Sequence, residues 1–184
     1  MSAETGAGRI GAVVLAAGAA TRFGAPKQRL FLPGILHALA ESPVDDVVVV
    51  SGAYPLEAEG ARVVRAADWG RGPGASLRVG LADLGDDVEA AVVVLADGPK
   101  LSPAAVARVV AAFRDGSSAA VLSATYDGER SHPVLIPRAL WATVPDEGAR
   151  ALEVALVDCR DIDPPGDVDH ADDIREAAPP SADI

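Results

Sequence analysis

The sequence predicts a three-layer α/β/α fold with a mostly parallel sheet. Three apolar runs, Ala12–Ala17, Val47–Val50 and Ala90–Ala96, alternate with segments whose apolar residues have helical spacing. Uninterrupted apolar runs are typical of parallel strands that helices cover on both faces. Asp127-Gly128 separates two further strand-like runs and favours a hairpin turn. We therefore expect a mostly parallel sheet with one antiparallel hairpin.

Length and composition limit the classes of protein that fit. A chain of 184 residues suits one domain, which we place at residues 10–176 between flexible tails at 1–9 and 177–184. The formal charge is −11, with Lys27 and Lys100 as the only lysines, which argues against nucleic-acid and membrane binding. One cysteine excludes an internal disulfide. The sequence shows no basic segment followed by an apolar one at its start, so we expect a cytoplasmic protein. The oligomeric state, monomer or dimer, stays open.

The remaining elements follow from spacing and turn residues. Leu30–Glu41 predicts short helical turns interrupted by Pro33-Gly34, and residues 54–60 are too few for a crossover helix. The other predicted helices are 75–84, 103–113, 139–144, 149–156 and 168–176, and the other strands or extended segments are 62–65, 119–125, 132–136 and 157–162.

The first strand leads into a small-residue turn that suits phosphate. The strand breaks at Gly18, and two cations follow at Arg22 and Lys27. Backbone N–H groups from Ala16 to Ala19, together with these cations, would hold a polyphosphate. No G-K-[ST] follows the glycine, so this is not a P-loop. The alternative is an ordinary strand–helix turn with solvated charges.

A second glycine-rich loop runs from Gly72 to Ser76. Missing side chains there would make room for a nucleotide base, with Gly74 and Ser76 in contact with it. Ser76 also stands near a predicted helix start, so its hydroxyl could instead cap that helix.

Two carboxylates are candidates for a Mg²⁺ site. Asp97 ends the strongest predicted strand, at the edge where open α/β sheets bind ligands. Asp163 could be the second ligand, since Mg²⁺ needs only one or two protein carboxylates. Either aspartate could instead initiate a turn before the proline that follows it. His132 is equally consistent with a structural hydrogen-bonding role.

Several motifs resemble one family. Leu15-Ala-Ala-Gly18 followed by Arg22, Gly24 and Lys27 is the most specific of them. The others are Trp69-x-x-Gly72-x-x-x-Ser76-Leu77-x-x-Gly80-Leu81, Leu95-Ala-Asp97-x-Pro99, His132-Pro-Val, Gly148-Ala-Arg150 and Asp161-Ile-Asp163-x-Pro165-x-Asp167. Together they resemble the MobA-like NTP transferases, the family of molybdenum cofactor cytidylyltransferase and molybdopterin guanylyltransferase.

The resemblance implies a nucleotide-diphospho-sugar transferase (Rossmann-like) fold and Mg²⁺-dependent transfer of a nucleotide. The substrates would be a nucleoside triphosphate and a phosphorylated small-molecule acceptor. It implies catalytic roles for Arg22, Lys27 and Asp97, and metal ligation by Asp97 and Asp163. The implied nucleotide-binding residues are Leu15, Ala16, Ala17, Gly18, Arg22, Lys27, Gly74 and Ser76. Gly98, His132, Gly148 and Arg150 are the candidate acceptor-binding residues.

Departures from the family pattern concentrate on the acceptor side. Gly98 replaces a common Gln, Pro145 replaces a common glycine, and Asp163-Pro-Pro-Gly-Asp167 replaces D-T-P-E-D. We therefore expect a nucleotidyltransferase that favours CTP and acts on molybdopterin or a similar acceptor. The alternatives are a guanylyl- or uridylyltransferase for another phosphorylated metabolite, and a catalytically degenerate nucleotide-binding protein.

Overall fold

One seven-stranded sheet forms the centre of the protein. The structure, a computed structural model, describes residues 8–18, 28–116 and 119–166. The strands are β1 (Arg9–Ala16), β2 (Asp46–Ser51), β3 (Arg62–Arg65), β4 (Val88–Leu95), β5 (Val121–Tyr126), β6 (Glu129–Pro137) and β7 (Val154–Asp158). Their order in the sheet is β3-β2-β1-β4-β6-β5-β7. Only β6 is antiparallel to its neighbours, which confirms the mostly parallel sheet with an antiparallel hairpin.

Helices cover both faces of the sheet. They are α1 (Gln28–Ala40), α2 (Pro73–Asp83) and α3 (Pro103–Arg114), and there are 3₁₀ helices at Trp69–Arg71, Arg138–Thr143 and Ala149–Ala151. Helices α1 and α3 pack on one face, and α2 packs on the other. In β1, Ala12 and Val14 point to the α1 face while Val13 points to the α2 face, and all three are fully buried. This burial on both faces explains the uninterrupted apolar run.

Helix α1 is continuous, so the predicted interruption at Pro33-Gly34 is wrong. Proline inside a helix removes one backbone hydrogen bond and costs roughly 3 kcal/mol relative to alanine. In α1 the apolar residues on the inner side, Leu32, Ile35 and Leu39, are almost completely buried against the sheet. Their packing outweighs the cost at Pro33, as tertiary contacts commonly override local propensity.

The predicted helix at 149–156 is also wrong. A single 3₁₀ turn covers Ala149–Ala151, and strand β7 begins at Val154. β7 pairs in parallel with β5, from Val121 opposite Val154 to Thr125 opposite Asp158. This edge position supplies backbone partners that local spacing cannot reveal. The predicted extended segment 157–162 therefore contributes only its first two residues to the sheet, and the predicted helix at 168–176 lies outside the described residues.

The connection between β2 and β3 contains no helix, as expected. It leaves an open groove of about 1190 Å³ beside α1, lined by α1, residues 44–47 and residues 55–62. None of the predicted site residues that the structure describes lines this groove. Across the described parts of the chain, no helix is both long and apolar enough to cross a membrane.

Candidate active site

Several of the predicted site residues lie at the carboxyl edge of the sheet. Leu15, near the end of β1, pairs with Val50 of β2 on one side and with Leu95 of β4 on the other. β6 runs in the opposite direction, and its Val134 pairs with Val93. The start of β6, including His132, therefore reaches the same edge as the ends of β1, β2 and β4. This alignment places Asp97, Gly98 and His132 together.

The structure describes the predicted phosphate turn only at its beginning, residues 15–18. Ala16 and Ala17 are buried, Leu15 is partly buried and Gly18 is exposed. The carbonyl of Leu15 accepts a hydrogen bond from the N–H of Ala96 at 3.0 Å, and that of Ala17 accepts one from Ala53 at 3.2 Å. These bonds fix the strand end between its neighbours. Arg22 and Lys27 lie outside the described residues, so their roles stay predictions.

A small cavity of about 120 Å³ lies at this edge. Asp97, Gly98, Ser131, His132, Pro165 and Gly166 contribute to its walls. At ~30 Å³ per water molecule, it has room for about four waters. The cavity brings three separate sequence motifs together: the end of β4, the start of β6 and the segment after Asp163.

Asp97 is partly exposed and lies two residues beyond the end of β4. The predicted turn forms as well, because the N–H of Gly98 donates to the carbonyl of Leu95 at 3.4 Å. An added Cβ at position 98 would lie at ordinary contact distance, 3.4 Å from Pro165 Cβ and 3.4 Å from the Gly166 carbonyl oxygen. Close packing therefore leaves room for a Cβ at this position.

His132 is held by two hydrogen bonds. Its Nδ1 lies 3.2 Å from the carbonyl oxygen of Val93, and its own carbonyl accepts the Tyr126 hydroxyl at 2.9 Å. Burial lowers the pKa of His132, an effect that the Val93 carbonyl and Asp97 partly oppose. The imidazole is thus neutral near pH 7. Nδ1 then carries the proton donated to Val93, which leaves Nε2 as an acceptor.

The segment that contains Asp163 packs against the turn at Asp97. The carbonyl of Pro165 accepts a hydrogen bond from the N–H of Lys100 at 2.9 Å, and Pro165 is buried while Asp163 is exposed. Among the described residues, no group of three or more His, Cys, Asp or Glu side chains could hold a metal. Carboxylates completed by water and phosphate oxygens suit Mg²⁺, so Asp97 and Asp163 are of the right residue type, and their role as ligands stays a prediction.

The glycines of the second loop lie in close contact with residues 145–146. A Cβ on Gly74 would lie 1.7 Å from the Pro145 carbonyl oxygen, and one on Gly72 would lie 2.5 Å from that of Asp146. The N–H of Gly74 also donates to Asp146 at 2.9 Å. The space left by the missing side chains is occupied by residues 145–146. Glycine at these positions permits the two loops to meet, and contact between this loop and a nucleotide base stays a prediction.

Ser76 does not cap helix α2. The helix begins at Pro73 with Gly72 as its N-cap. Ser76 is therefore the fourth residue of the helix, and it is 2% exposed. Nucleotide contact by Gly74 or Ser76 stays a prediction.

Gly148 and Arg150 lie in the neighbouring loop. Gly148 has a φ of 78°, a conformation that favours glycine, and its N–H donates to the Pro145 carbonyl at 3.0 Å. Arg150 is exposed. Neither residue lines the small cavity, so their proposed contact with an acceptor stays a prediction.

Two arginines that sequence reasoning missed hold this loop. Arg78 of α2 donates to the Val144 carbonyl at 2.8 Å and to the Asp146 carboxylate at 2.5 Å. This contact lowers the pKa of Asp146. Arg130 of β6 donates to the carbonyls of Ala149 and Leu152 at 2.7 and 3.1 Å. The partners of both arginines are distant in sequence, so spacing gave no signal for them.

Comparison with known proteins adds independent evidence. A family model described as the MobA-like NTP transferase domain matches residues 12–156. The Rv0371c homologue from Mycobacterium sp. strain JC1 is 25% identical, with a TM-score of 0.75 over 91% of this chain and 94% of that one. Rv0371c from Mycobacterium tuberculosis, solved as a complex with manganese, is 26% identical, with a TM-score of 0.69 over 92% and 97%.

A nucleotidyl transferase from Methanothermobacter (Mth528) shares the fold at 20% identity, with a TM-score of 0.74 over 91% of this chain and 95% of that one. Comparison with curated proteins gives no significant match.

The family model over most of the chain defines an enzyme of the nucleotidyltransferase class. The chain belongs to the MobA-like NTP transferase family. The fold is that of the nucleotide-diphospho-sugar transferases, which confirms the resemblance drawn from the motifs.

Proposed function

We propose that the protein transfers a nucleoside monophosphate from CTP to a phosphorylated small molecule such as molybdopterin, with Mg²⁺ as its metal. The observation that carries this proposal is Asp97 at the carboxyl end of β4, packed beside the segment that contains Asp163. The manganese in the Rv0371c complex supports a divalent cation. The preference for CTP and molybdopterin rests on the sequence motifs.

The reaction requires little covalent chemistry from the protein. An oxygen of the acceptor phosphate forms a bond to the α-phosphorus, the bond to the β-phosphate oxygen breaks, and pyrophosphate leaves with the electron pair. A phosphomonoester is largely anionic near pH 7, so no general base is needed. Catalysis then depends on positioning and on charge neutralisation.

Each residue has a defined task in this proposal. The backbone at the end of β1 approaches the phosphates, and Arg22 and Lys27 neutralise the leaving pyrophosphate. Asp97 and Asp163 would hold Mg²⁺, which when bound withdraws charge from the phosphate oxygens. His132, held by Val93 and Tyr126, presents a neutral acceptor toward the cavity beside Asp97.

Two alternatives stay open within the same site. A guanylyl- or uridylyltransferase would use the same phosphate and metal residues with a different base. A degenerate nucleotide-binding protein would retain Arg22 and Lys27 but lack turnover. The departures at Gly98, Pro145 and residues 164–166 lie on the predicted acceptor side, so they bear on the identity of the acceptor more than on that of the nucleotide.

Pyrophosphate release tests the proposal directly. CTP, GTP, UTP and ATP are each incubated with Mg²⁺ and molybdopterin, and pyrophosphate is measured for the wild type, Asp97→Asn and the control Asp115→Asn. Asp115 is exposed at the end of α3, away from the cavity. We expect release with CTP, a loss of roughly 100-fold or more in Asp97→Asn, and no loss in the control.

Other outcomes discriminate among the alternatives. Pyrophosphate release with GTP or UTP but not with CTP would show that the enzyme uses guanine or uracil nucleotides and not cytosine nucleotides. Nucleotide binding without release would refute molybdopterin as the acceptor and leave the degenerate protein or another acceptor. Equal rates in Asp97→Asn and the wild type would refute the role of Asp97.

A further inference from the structure

A short segment connects the end of β7 to the small cavity, and its contacts assign a role to Arg108. We call residues 159–166 the strap. At its beginning, Cys159 is fully buried and its N–H donates to the Thr125 carbonyl at 2.9 Å. The N–H of Ile162 then donates to the Cys159 carbonyl at 2.9 Å, which closes a tight turn. The first half of the strap is therefore fixed to the sheet.

Arg108 of α3 holds the middle of the strap. Both of its terminal nitrogens donate to the carboxylate of Asp161, with Nη2 to Oδ2 at 2.9 Å. Nη1 also donates to the carbonyl of Asp158 at 3.0 Å. A two-point contact between guanidinium and carboxylate fixes orientation as well as distance. The carboxylate of Asp161 is therefore bound by a side chain of the protein, Arg108.

The far end of the strap is held at the cavity. Pro165 is buried, and its carbonyl accepts the N–H of Lys100 three residues after Asp97. Asp163 lies between the two holding points and is exposed. Of the two strap aspartates on either side of Ile162, one is therefore held by Arg108. The other is exposed and lies two residues before Pro165, whose carbonyl is bonded to Lys100 after the turn at Asp97.

We propose that Arg108 is a positioning residue, which places Asp163 beside Asp97 for a divalent cation by holding Asp161. This inference rests on the proposed function. Without Arg108, the turn closed by Ile162 and the contact at Pro165 remain, but Asp161 loses its two-point contact and residues 161–164 sample more conformations. Ordering them on metal binding then costs conformational entropy, so the affinity for the cation falls while the fold remains.

Mn²⁺ binding and amide exchange test the role of Arg108. The affinity for Mn²⁺ alone is measured by water-proton relaxation, and exchange of the Lys100 amide is measured by NMR. The variants are Arg108→Ala, Asp161→Asn and, as a matched control, Arg114→Ala, which removes an exposed arginine from the same helix. We expect Arg108→Ala and Asp161→Asn to weaken Mn²⁺ binding about fivefold, or ~1 kcal/mol at 1.4 kcal/mol per tenfold. The Lys100 amide should exchange faster in both, and the control should match the wild type.

Exchange of the two charges provides a rescue test. In Arg108→Glu/Asp161→Arg the pair forms with reversed polarity, so Mn²⁺ affinity should recover at least half of the loss on a logarithmic scale. A purely structural role for Arg108 predicts lower thermal stability with unchanged Mn²⁺ affinity in the folded protein, and that result would overturn the inference.

The same measurements separate this inference from the proposed function. Absence of Mn²⁺ binding to the wild type, or equal binding to Asp97→Asn, would refute the proposed metal site itself. Mn²⁺ binding that depends on Asp97 but is identical in the wild type, Arg108→Ala and Asp161→Asn would refute only the role of Arg108.

Discussion

Tyr126 connects the buried core to the candidate active site. It is 7% exposed, and its hydroxyl donates to the His132 carbonyl at 2.9 Å. Burial raises the pKa of Tyr126 to about 12, because an apolar environment disfavours the charged phenolate. The phenol therefore stays neutral in the folded protein at pH values where a solvent-exposed tyrosine would ionise.

Titration of Tyr126 gives a first prediction. Absorbance at 295 nm should show one phenol that ionises near pH 12, and Tyr126→Phe should remove that step. Because the folded pKa lies above the unfolded value of 10.0, the associated stability is complete below pH 10 and is lost as the pH rises toward 12. An ionisation profile that Tyr126→Phe leaves unchanged would contradict this environment.

The substitution also has a cost at neutral pH. Loss of the hydrogen bond to His132 should lower the free energy of unfolding of Tyr126→Phe by about 0.5–1.5 kcal/mol, measured by urea titration.

At the scale of elements, substitution by alanine should change the free energy of unfolding in opposite directions at Gly74 and Gly34. Gly74→Ala places a Cβ 1.7 Å from the Pro145 carbonyl oxygen, whereas a Cβ on Gly34 in α1 has nothing within 4 Å. Overpacking should lower the free energy of unfolding of Gly74→Ala by about 1–3 kcal/mol. Gly34→Ala should raise it by roughly 0.5–1 kcal/mol, because alanine favours the helix.

Urea unfolding of both variants measures these changes, with Gly34→Ala as the matched control. If Gly74→Ala were as stable as the wild type, the close contact between residues 72–74 and 145–146 would be refuted.

Some elements could be predicted from sequence because local signals and tertiary contacts agree. β1 and β4 are buried on both faces, so their apolar runs identify them. Asp97 could be identified because it lies just beyond the end of such a strand. The continuity of α1 could not be predicted, because the packing of its inner side outweighs the effect of Pro33. Strand β7 could not be predicted either, because its pairing with β5 determines its conformation.

The same reasoning explains why the sequence did not reveal the three arginines that support the candidate site. Arg78, Arg108 and Arg130 have partners 19 to 68 residues away in the chain. No periodicity or short motif records such a pairing. The motifs therefore located the site, and the structure was needed to show what supports it.

At the scale of the whole molecule, the sheet separates two apolar cores. Ile35 of α1 belongs to one and Ile136 of β6 to the other, and both are fully buried. Ile→Val at either position should lower the free energy of unfolding by about 0.5–1.5 kcal/mol. Because the sheet lies between them, the double variant should be additive within about 0.5 kcal/mol.

Cooperative unfolding follows if residues 10–176 form one domain, as we predict. Near-ultraviolet and far-ultraviolet circular dichroism should give one coincident transition for the wild type and for all three variants. Two separate transitions, each shifted by only one substitution, would contradict a single domain.

The burial of Cys159 has a practical consequence for attaching the protein to a surface. It is the chain's single cysteine and is fully buried, so a thiol introduced elsewhere would be the accessible one for maleimide coupling. Asp86, in the exposed loop that precedes β4, lies at the amino edge of the sheet. An enzyme immobilised through Asp86→Cys would keep its carboxyl edge, and with it the candidate active site, turned toward the solution.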